Sequence, residues 1–226
     1  MKLRAALATC AFLVVSGCLF ESPNPTVDPA KITHNDLPVH DPSVIRDDDG
    51  TFYVFGSHLA AARSTDLMNW QFVANGLDAS NPLWSTIPTE GNEWTGAPGS
   101  WAADVIKFKD GKYRFYYSFC GVPPSGECTG PRSYLGVAIG DRIDGPYVDQ
   151  GIFLRSGMNA VEIAAGYGPE GITNYDARIH PNTIDPDVFY DKTGKLWMTY
   201  GSYSGGIFIL QMDETTAKPL PGQGYG

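Results

Sequence analysis

Three aspartates, Asp41, Asp104 and Asp185, each begin a similar segment of the sequence. In every segment the aspartate is followed by a short apolar run, a turn containing Asp and Gly, and an aromatic run ending in Ser. Carboxyl groups that lie together raise one another's pKa, which divides them into an acid and a base. Hydrolysis of a glycosidic bond needs such a pair, because one group protonates the leaving oxygen while the other activates water. A single Asp at a turn is more often structural, so the prediction depends on the repetition.

The repeat also predicts the elements that position these aspartates. The three segments start 63 and 81 residues apart, and their turn glycines suit tight hairpins. Alternation puts Tyr113, Phe115 and Tyr117 on one face of a strand. Repeats of this length, each with several strands, are typical of β-propeller blades. A β-sandwich is the alternative. The aspartate repeated at one strand position favours the propeller, because equivalent positions of successive blades meet around one axis and would form a central cluster.

Composition and charge support an all-β globular protein. Of the 226 residues, 42% are hydrophobic and 18% charged, which excludes a disordered chain. Abundant aromatics, with 26 Gly and 17 Pro, indicate short strands joined by loops. The formal net charge of −9 disfavours a nucleic-acid partner and is compatible with a neutral polymer as substrate.

The N-terminus predicts export. Lys2 and Arg4 precede an apolar stretch of about 11 residues, which suits a signal peptide better than a membrane span. Cys18 follows small residues in a pattern that resembles a bacterial lipobox; an ordinary signal peptide is the alternative. We expect a lipoprotein-type signal peptide at 1–17, a tether at 18–35 and a propeller domain at 36–226. The protein would be a cell-surface or outer-membrane lipoprotein, or secreted, touching the membrane only through a lipid anchor at Cys18.

Two further cysteines, Cys120 and Cys128, bracket a loop of seven residues. In an exported protein such a pair can close a disulfide, and we predict one here. Two unpaired thiols are the alternative.

Several motifs resemble glycoside hydrolase family 43. The segment His40-Asp41-Pro42-Ser43-Val44-Ile45 resembles the family motif that carries the general base. Two others resemble its Trp-Ala-Pro-Asp-Val segment and its pKa-modulating motif: Trp101-Ala102-Ala103-Asp104-Val105, with Ala103 in place of Pro, and Thr183-Ile184-Asp185-Pro186-Asp187-Val188. Two more are similar to the family's arabinan-cutting members: Phe55-Gly56-Ser57-His58 and Ser133-Tyr134-Leu135-Gly136-Val137-Ala138. The resemblance runs from about residue 36 to the C-terminus.

The resemblance implies a five-bladed propeller, of which this chain would cover about the first three to four blades. It also implies an inverting, endo-acting hydrolase of α-1,5-linked arabinan in plant cell walls. Asp41 would be the general base and Asp185 the pKa modulator, although Asp187 competes for the latter role. Trp101 would be an aromatic platform for a sugar ring. Further substrate contacts would come from His40, Asp104, Asn182 and Ser202. His40 is equally compatible with a structural role.

The general acid implied by the resemblance has no match here. Inversion needs two carboxyl groups roughly 6.5–9.5 Å apart, and the family's acid is a Glu located after the modulating aspartate. Glu162 and Glu170 precede Asp185, and Glu214 lies in a turn. We therefore expect the chain to be an N-terminal fragment that is inactive alone. The family also implies a calcium ion on the axis, with ligands outside this fragment; the run from Asp47 to Gly50 fits a hairpin turn better than a calcium loop.

Two other functions remain open. One is exo action, as an α-L-arabinofuranosidase or β-xylosidase, which would need a closed pocket where endo action needs an open groove. The other is a non-catalytic glycan-binding propeller on the cell surface, which a missing Glu in the complete gene would favour. In each case we expect a monomer with a polysaccharide partner.

Overall fold

Eleven strands form three antiparallel sheets in the part of the chain that the computed structural model describes, residues 32–35, 37–96, 99–121 and 128–226. The first sheet contains β1 (Ser43–Arg46), β2 (Phe52–Gly56), β3 (Ala60–Ser64) and β4 (Trp70–Ala74). The second contains β5 (Ser100–Lys107), β6 (Tyr113–Cys120), β7 (Ser133–Gly140) and β8 (Val148–Ser156). The third contains β9 (Asp187–Tyr190), β10 (Leu196–Tyr200) and β11 (Phe208–Gln211). Each sheet keeps its strands in chain order, as expected for one sheet per repeat.

Helices are short and few among these residues. A 3-10 turn spans Ser57–Leu59, α1 spans Glu90–Thr95 and α2 spans Ala160–Ala164. Asn159 caps α2 with a capping box, in which the Glu162 carboxylate accepts a hydrogen bond from the backbone amide of Asn159. No helix of the described chain is long and apolar enough to cross a membrane. The predicted signal peptide, with Cys18, and most of the predicted tether lie outside the described residues.

The three Asp–Gly turns have the same backbone hydrogen bonds. The amides of Asp47, Phe108 and Asp191 each donate to the carbonyl four residues ahead, at 2.8–2.9 Å. Gly50, Gly111 and Gly194 each donate back to the first turn residue and have φ between 81° and 91°. Because L-residues rarely adopt such φ values, glycine fixes these hairpins at the same point of each sheet.

This common turn corrects the predicted alignment of the aspartates. Counted from the turn, Asp41 and Asp185 occupy equivalent positions, whereas Asp104 lies two residues nearer its turn. The strand register agrees, since Asp104 pairs with Tyr116 as Ser43 pairs with Phe55. The prediction that all three aspartates are equivalent is therefore wrong for Asp104. A register irregularity in β5 between Trp101 and Asp104 accompanies the offset.

Strand β6, in the middle sheet, is buried on both faces. Every residue of β6 is buried. On one face Phe115 packs against Phe55 of the first sheet, with ring centroids 5.5 Å apart. On the other face, the Tyr116 hydroxyl donates to the carbonyl of Ala217 (3.0 Å), a residue that follows β11 in the chain. Large apolar side chains are exposed in all three sheets: Val44 and Phe72 in the first, Val148 in the second and Ile209 in the third.

Candidate active site

The first strands of the three sheets, β1, β5 and β9, lie around one cleft of about 530 Å³. Its lining contains all three repeat aspartates, Asp41, Asp104 and Asp185, together with Asp187. The predicted central cluster of aspartates is thus present, although Asp104 reaches it from a different strand position.

Asp41 lies just before β1 in a left-handed backbone conformation, with φ of 51°. Such values are uncommon outside glycine, but Asp adopts them more readily than most residues. One carboxylate oxygen, Oδ2, accepts a hydrogen bond from the Ser57 hydroxyl (2.8 Å) and lies 2.7 Å from Nδ1 of His40. Among the described residues nothing hydrogen-bonds the other oxygen, Oδ1, and the side chain is 41% exposed. Asp41 therefore presents one fixed and one free oxygen.

Ser57 holds this arrangement and was not singled out as a site residue from the sequence. Its side chain is buried, and its hydroxyl accepts the amide of Ala102 (3.0 Å) while donating to Asp41. Its own amide donates to the carbonyl of His40 (2.9 Å). One serine thus joins the start of β1 to β5. The serine that ends each repeat was the signal that could have identified it.

Gly56, just before Ser57, is required by a close approach of two chain segments. A Cβ atom at this position would overlap the carbonyl oxygen of His40 and a methyl group of Val39. Its φ of −166° is extended and suits any residue, so the constraint is space and not backbone conformation.

We expect Gly56→Ala to displace the His40–Asp41 peptide and to destabilise the protein by about 1–3 kcal/mol. Differential scanning calorimetry measures the stability, and the NMR resonances of the His40 ring report the displacement. Gly111→Ala is the control, because a Cβ there meets nothing within 4 Å and costs only its left-handed conformation. Unchanged His40 resonances in the Gly56 variant would contradict the expectation.

Asp185 mirrors Asp41 in the third sheet, with φ of 54° immediately before β9. Because Asp185 precedes β9 and Asp187 begins it, strand alternation does not place the two aspartates on one face. Partial burial raises the pKa of the Asp185 carboxyl, the negative charge of Asp41 raises it further, and a hydrogen bond from Ser202 opposes both. The effect of Asp41 shows that the two carboxylates interact electrostatically across the cleft.

The middle sheet fixes the backbone that leads to Asp185. The amide of Thr183 donates to the hydroxyls of Ser133 (2.9 Å) and Ser156 (3.1 Å), and all three residues are fully buried. The two serine hydroxyls also lie 2.8 Å from each other. These contacts anchor the chain two residues before Asp185, so its carboxylate is positioned by the neighbouring sheet.

Asp104 differs from the other two because it is buried and fully hydrogen-bonded. Its side chain lies between sheets: Oδ1 accepts from the Ser43 hydroxyl (2.6 Å) and Oδ2 from the amide of Val188 (2.8 Å). Burial raises the pKa of Asp104 to about 6, against the lowering effect of these hydrogen bonds. Asp104 thus joins all three sheets at the cleft, and its predicted contact with substrate stays a prediction.

We expect Asp104 to make the protein less stable as pH rises. A carboxyl whose folded pKa lies above its unfolded value of 3.8 binds its proton more tightly in the folded state, so stability falls between about pH 4 and pH 6. The difference amounts to roughly 3 kcal/mol. Asp104→Asn keeps an acceptor for Val188 and a donor for Ser43, and should therefore gain stability relative to the parent over this range.

Urea unfolding at several pH values between 3.5 and 7 measures that relative gain. Asp66→Asn provides a control of opposite sign, because hydrogen bonds from Asn69 and Met68 lower the pKa of Asp66 and its contribution is present only above the unfolded pKa. Parallel stability curves for the parent and Asp104→Asn would show that Asp104 carries no such penalty.

Trp101 lies beside the Asp41 end of the cleft with its indole fixed. Nε1 donates to the carbonyl of Cys120 (2.8 Å), and the ring lies 5.3 Å from His58 and 6.4 Å from His40, centroid to centroid. His58 has φ of 63° and was not identified as a site residue from the sequence. The His40 ring is 68% exposed, so it is accessible to a ligand as well as bonded to Asp41.

Asn182 and Ser202 shape the Asp185 end of the cleft. Asn182 is fully buried, and its Oδ1 accepts the amides of Ser202 (3.2 Å) and Ser204 (3.4 Å). It therefore orients the loop after β10, and its predicted contact with substrate stays a prediction. Ser202 is the member of this pair that hydrogen-bonds Asp185.

The glutamates considered as acids are held by cations or lie in turns. Arg132 forms a bidentate pair with Glu162, at 2.6 and 3.1 Å, and lowers its pKa. Lys109 likewise lowers the pKa of Glu214. A general acid needs the opposite shift, so neither residue suits that role. Within the described residues no group of three or more His, Cys, Asp and Glu side chains is arranged to hold a metal ion. No step of the proposed hydrolysis is assigned to calcium.

The disulfide predicted between Cys120 and Cys128 is present. It joins the end of β6 to the segment that leads into β7.

Comparison with known proteins identifies close relatives. The chain is 50% identical over 218 residues to the extracellular endo-α-(1→5)-L-arabinanase 2 of Bacillus subtilis. The aligned region covers 95% of this chain and 43% of the relative. It is 44% identical over 192 residues to the extracellular endo-α-(1→5)-L-arabinanase of Thermotoga petrophila, covering 83% of this chain and 39% of the relative. The chain thus spans about two-fifths of the length of these curated relatives.

Solved structures of similar proteins point to the same family. The endo-1,5-α-L-arabinanase of Thermotoga petrophila matches with a TM-score of 0.76 and 41% identity, over 86% of this chain and 42% of that one. A family 43 glycoside hydrolase of Bacillus licheniformis matches with a TM-score of 0.75 and 49% identity, over the same shares. These neighbours are five-bladed β-propellers, which confirms the predicted fold class; the number of blades in this chain stays a prediction.

The family model described as glycosyl hydrolases family 43 matches residues 35–223. That range contains all three sheets and the cleft with its aspartates. The resemblance inferred from the short motifs is therefore confirmed, and the chain belongs to glycosyl hydrolase family 43.

Proposed function

We propose that this chain is part of an inverting endo-arabinanase that hydrolyses α-1,5-linked arabinan. The observation that carries the proposal is the pair Asp41 and Asp185, which occupy equivalent left-handed positions and interact electrostatically across one cleft. The two curated relatives described above are both named as endo-acting arabinanases. Their identity over most of this chain supports arabinan as the substrate and endo action over exo action.

In this proposal Asp41 is the general base. Ser57 and His40 fix Oδ2, so the free oxygen Oδ1 can accept a proton from the attacking water. Asp185 contributes a second carboxyl whose raised pKa comes from its surroundings. It orients substrate and adjusts the protonation of the general acid. Trp101 offers its ring to a furanose, because apolar C–H faces of sugars pack on aromatic rings.

The general acid is expected to be a Glu located after Asp185 in the complete enzyme, as the family resemblance implies, because neither Glu162 nor Glu214 suits the role. The axial calcium ion, with ligands from outside these residues, and the monomeric state also stay predictions.

The deciding experiment is an assay of the full-length gene product on linear arabinan. Endo action releases a mixture of arabino-oligosaccharides at early times, and NMR of the first product shows inversion of the anomeric configuration. Release of a single small product from chain ends would establish exo action instead. Binding of arabinan without any cleavage would establish the non-catalytic alternative and overturn the proposal.

Export is part of the same proposal, since both curated relatives are named extracellular. A lipid anchor at Cys18 would hold the enzyme at the cell surface. Metabolic labelling with a radioactive fatty acid tests the anchor: the parent should incorporate label and Cys18→Ala should not.

A further inference from the structure

An exposed aromatic residue, Tyr203, follows Ser202 at the Asp185 end of the cleft. Its side chain is 58% exposed, although it belongs to a loop anchored on both sides, by the Asn182 contacts to Ser202 and Ser204. Burial of its hydroxyl raises the pKa of Tyr203, and the charge of Asp185 adds to the increase. An open aromatic ring on a fixed loop, next to a carboxylate, is typical of a surface that contacts sugars.

The Tyr203 hydroxyl is held by the segment next to the disulfide. It donates to the carbonyl oxygens of Cys128 (3.2 Å) and Gly130 (3.0 Å). These bonds cross from the loop after β10 to the segment before β7, so they join the third sheet to the second. The ring therefore stays exposed while its far end is tied down.

Trp101 forms a hydrogen bond to the other cysteine of this disulfide, Cys120. The indole Nε1 of Trp101 donates to the carbonyl of Cys120, and Cys120 is bonded to Cys128. The two cysteines thus each accept a hydrogen bond from one aromatic side chain, and each of these aromatics lies beside one of the two catalytic aspartates. The disulfide adds to the pairing of Cys120 with Ser133 across β6 and β7, and it fixes Cys128 to the end of β6.

We propose that Tyr203 is a further sugar-stacking residue and that the Cys120–Cys128 disulfide is a positioning element, which holds Tyr203 and Trp101 at a fixed separation along the cleft. This inference rests on the proposed function. The ligand would be a chain of at least two furanose rings.

The test compares variants of the full-length enzyme on arabinohexaose. Tyr203→Ala should raise KM and the Kd about tenfold with little change in kcat, because one stacked ring is lost while the aspartates stay in place. Tyr203→Phe keeps the ring and loses only its anchor, so its Kd should rise less. The double variant Cys120→Ser/Cys128→Ser should raise the Kd about as much as Tyr203→Phe does. When the double variant is combined with Tyr203→Phe, the loss of binding free energy should be smaller than the sum of the two separate losses, because both changes remove the same restraint.

A readout without ligand separates this inference from the proposed function. In the parent, the indole N–H resonance of Trp101, assigned through Trp101→Phe, should shift when dithiothreitol reduces the disulfide; this also serves if the cysteine variant fails to fold. If the parent neither binds nor cleaves arabinan, the proposed function fails whatever the resonance shows. If the parent cleaves arabinan but Tyr203→Ala binds arabinohexaose normally, or reduction leaves both the resonance and KM unchanged, the inference is overturned.

Discussion

Asp41→Asn in the full-length enzyme is expected to reduce kcat on arabinan by about 10²–10⁴-fold while leaving the fold and the affinity for arabino-oligosaccharides nearly unchanged. The amide cannot accept a proton from water. It can still accept the Ser57 hydroxyl that now bonds Oδ2. Asn is also the substitution that suits the backbone best, because after glycine it is among the residues most often found at a φ near 51°.

Initial rates on linear arabinan and titration calorimetry with arabinohexaose measure the two quantities. Asp48→Asn is the matched control: it lies in the exposed turn of the same sheet, where it pairs with Lys107, and should keep full activity. Asp41→Asn should also lower the pKa of Asp185, since the charge of Asp41 is one of the two causes that raise it. A variant that retains a tenth or more of the parent kcat would remove Asp41 from the role of base.

Asp185→Asn is expected to have opposite effects on activity and stability. Activity should fall about 100-fold or more, because a carboxyl that orients substrate and adjusts the acid is lost. Stability at neutral pH should rise, since burial and the charge of Asp41 both disfavour the ionised Asp185. A folded-state pKa above the unfolded value costs stability as pH rises through it, so the advantage of the variant should disappear below about pH 4.

Urea unfolding at pH 4 and pH 7, together with kcat, checks both halves of this expectation. Asn again tolerates the left-handed backbone, with φ of 54°, so the comparison is free of new strain. Asp187→Asn is the natural comparison, because Asp187 lines the same cleft and competed for the role. Equal loss of activity in both variants would leave the assignment to Asp185 without support.

Parts of the site could be predicted from the sequence because they depend on short-range patterns. The Asp–Gly turns, the disulfide pair and the aspartates before proline are each readable from neighbouring residues, and the structure has all of them. The repeat marks Ser57 as a conspicuous position, but the partners of Ser57, Gly56 and Tyr203 could not be recognised in this way. The importance of these residues comes from contacts with residues 16 to 75 positions away, and sequence spacing does not show such contacts.

The sequence by itself determined the all-β class, the repeated hairpin and the family, because strand alternation and turn chemistry act locally and the motifs are short. Only the tertiary structure decided what each aspartate does. Asp104 matched the other two in sequence, yet its different strand position buries it between sheets, where Ser43 and Val188 take both of its oxygens. Asp41 and Asp185 stay open to the cleft because a left-handed backbone turns each one away from its strand. Burial and partners, which depend on how the sheets pack, separate one carboxylate whose two oxygens are both bonded within the protein from two that remain open to the cleft.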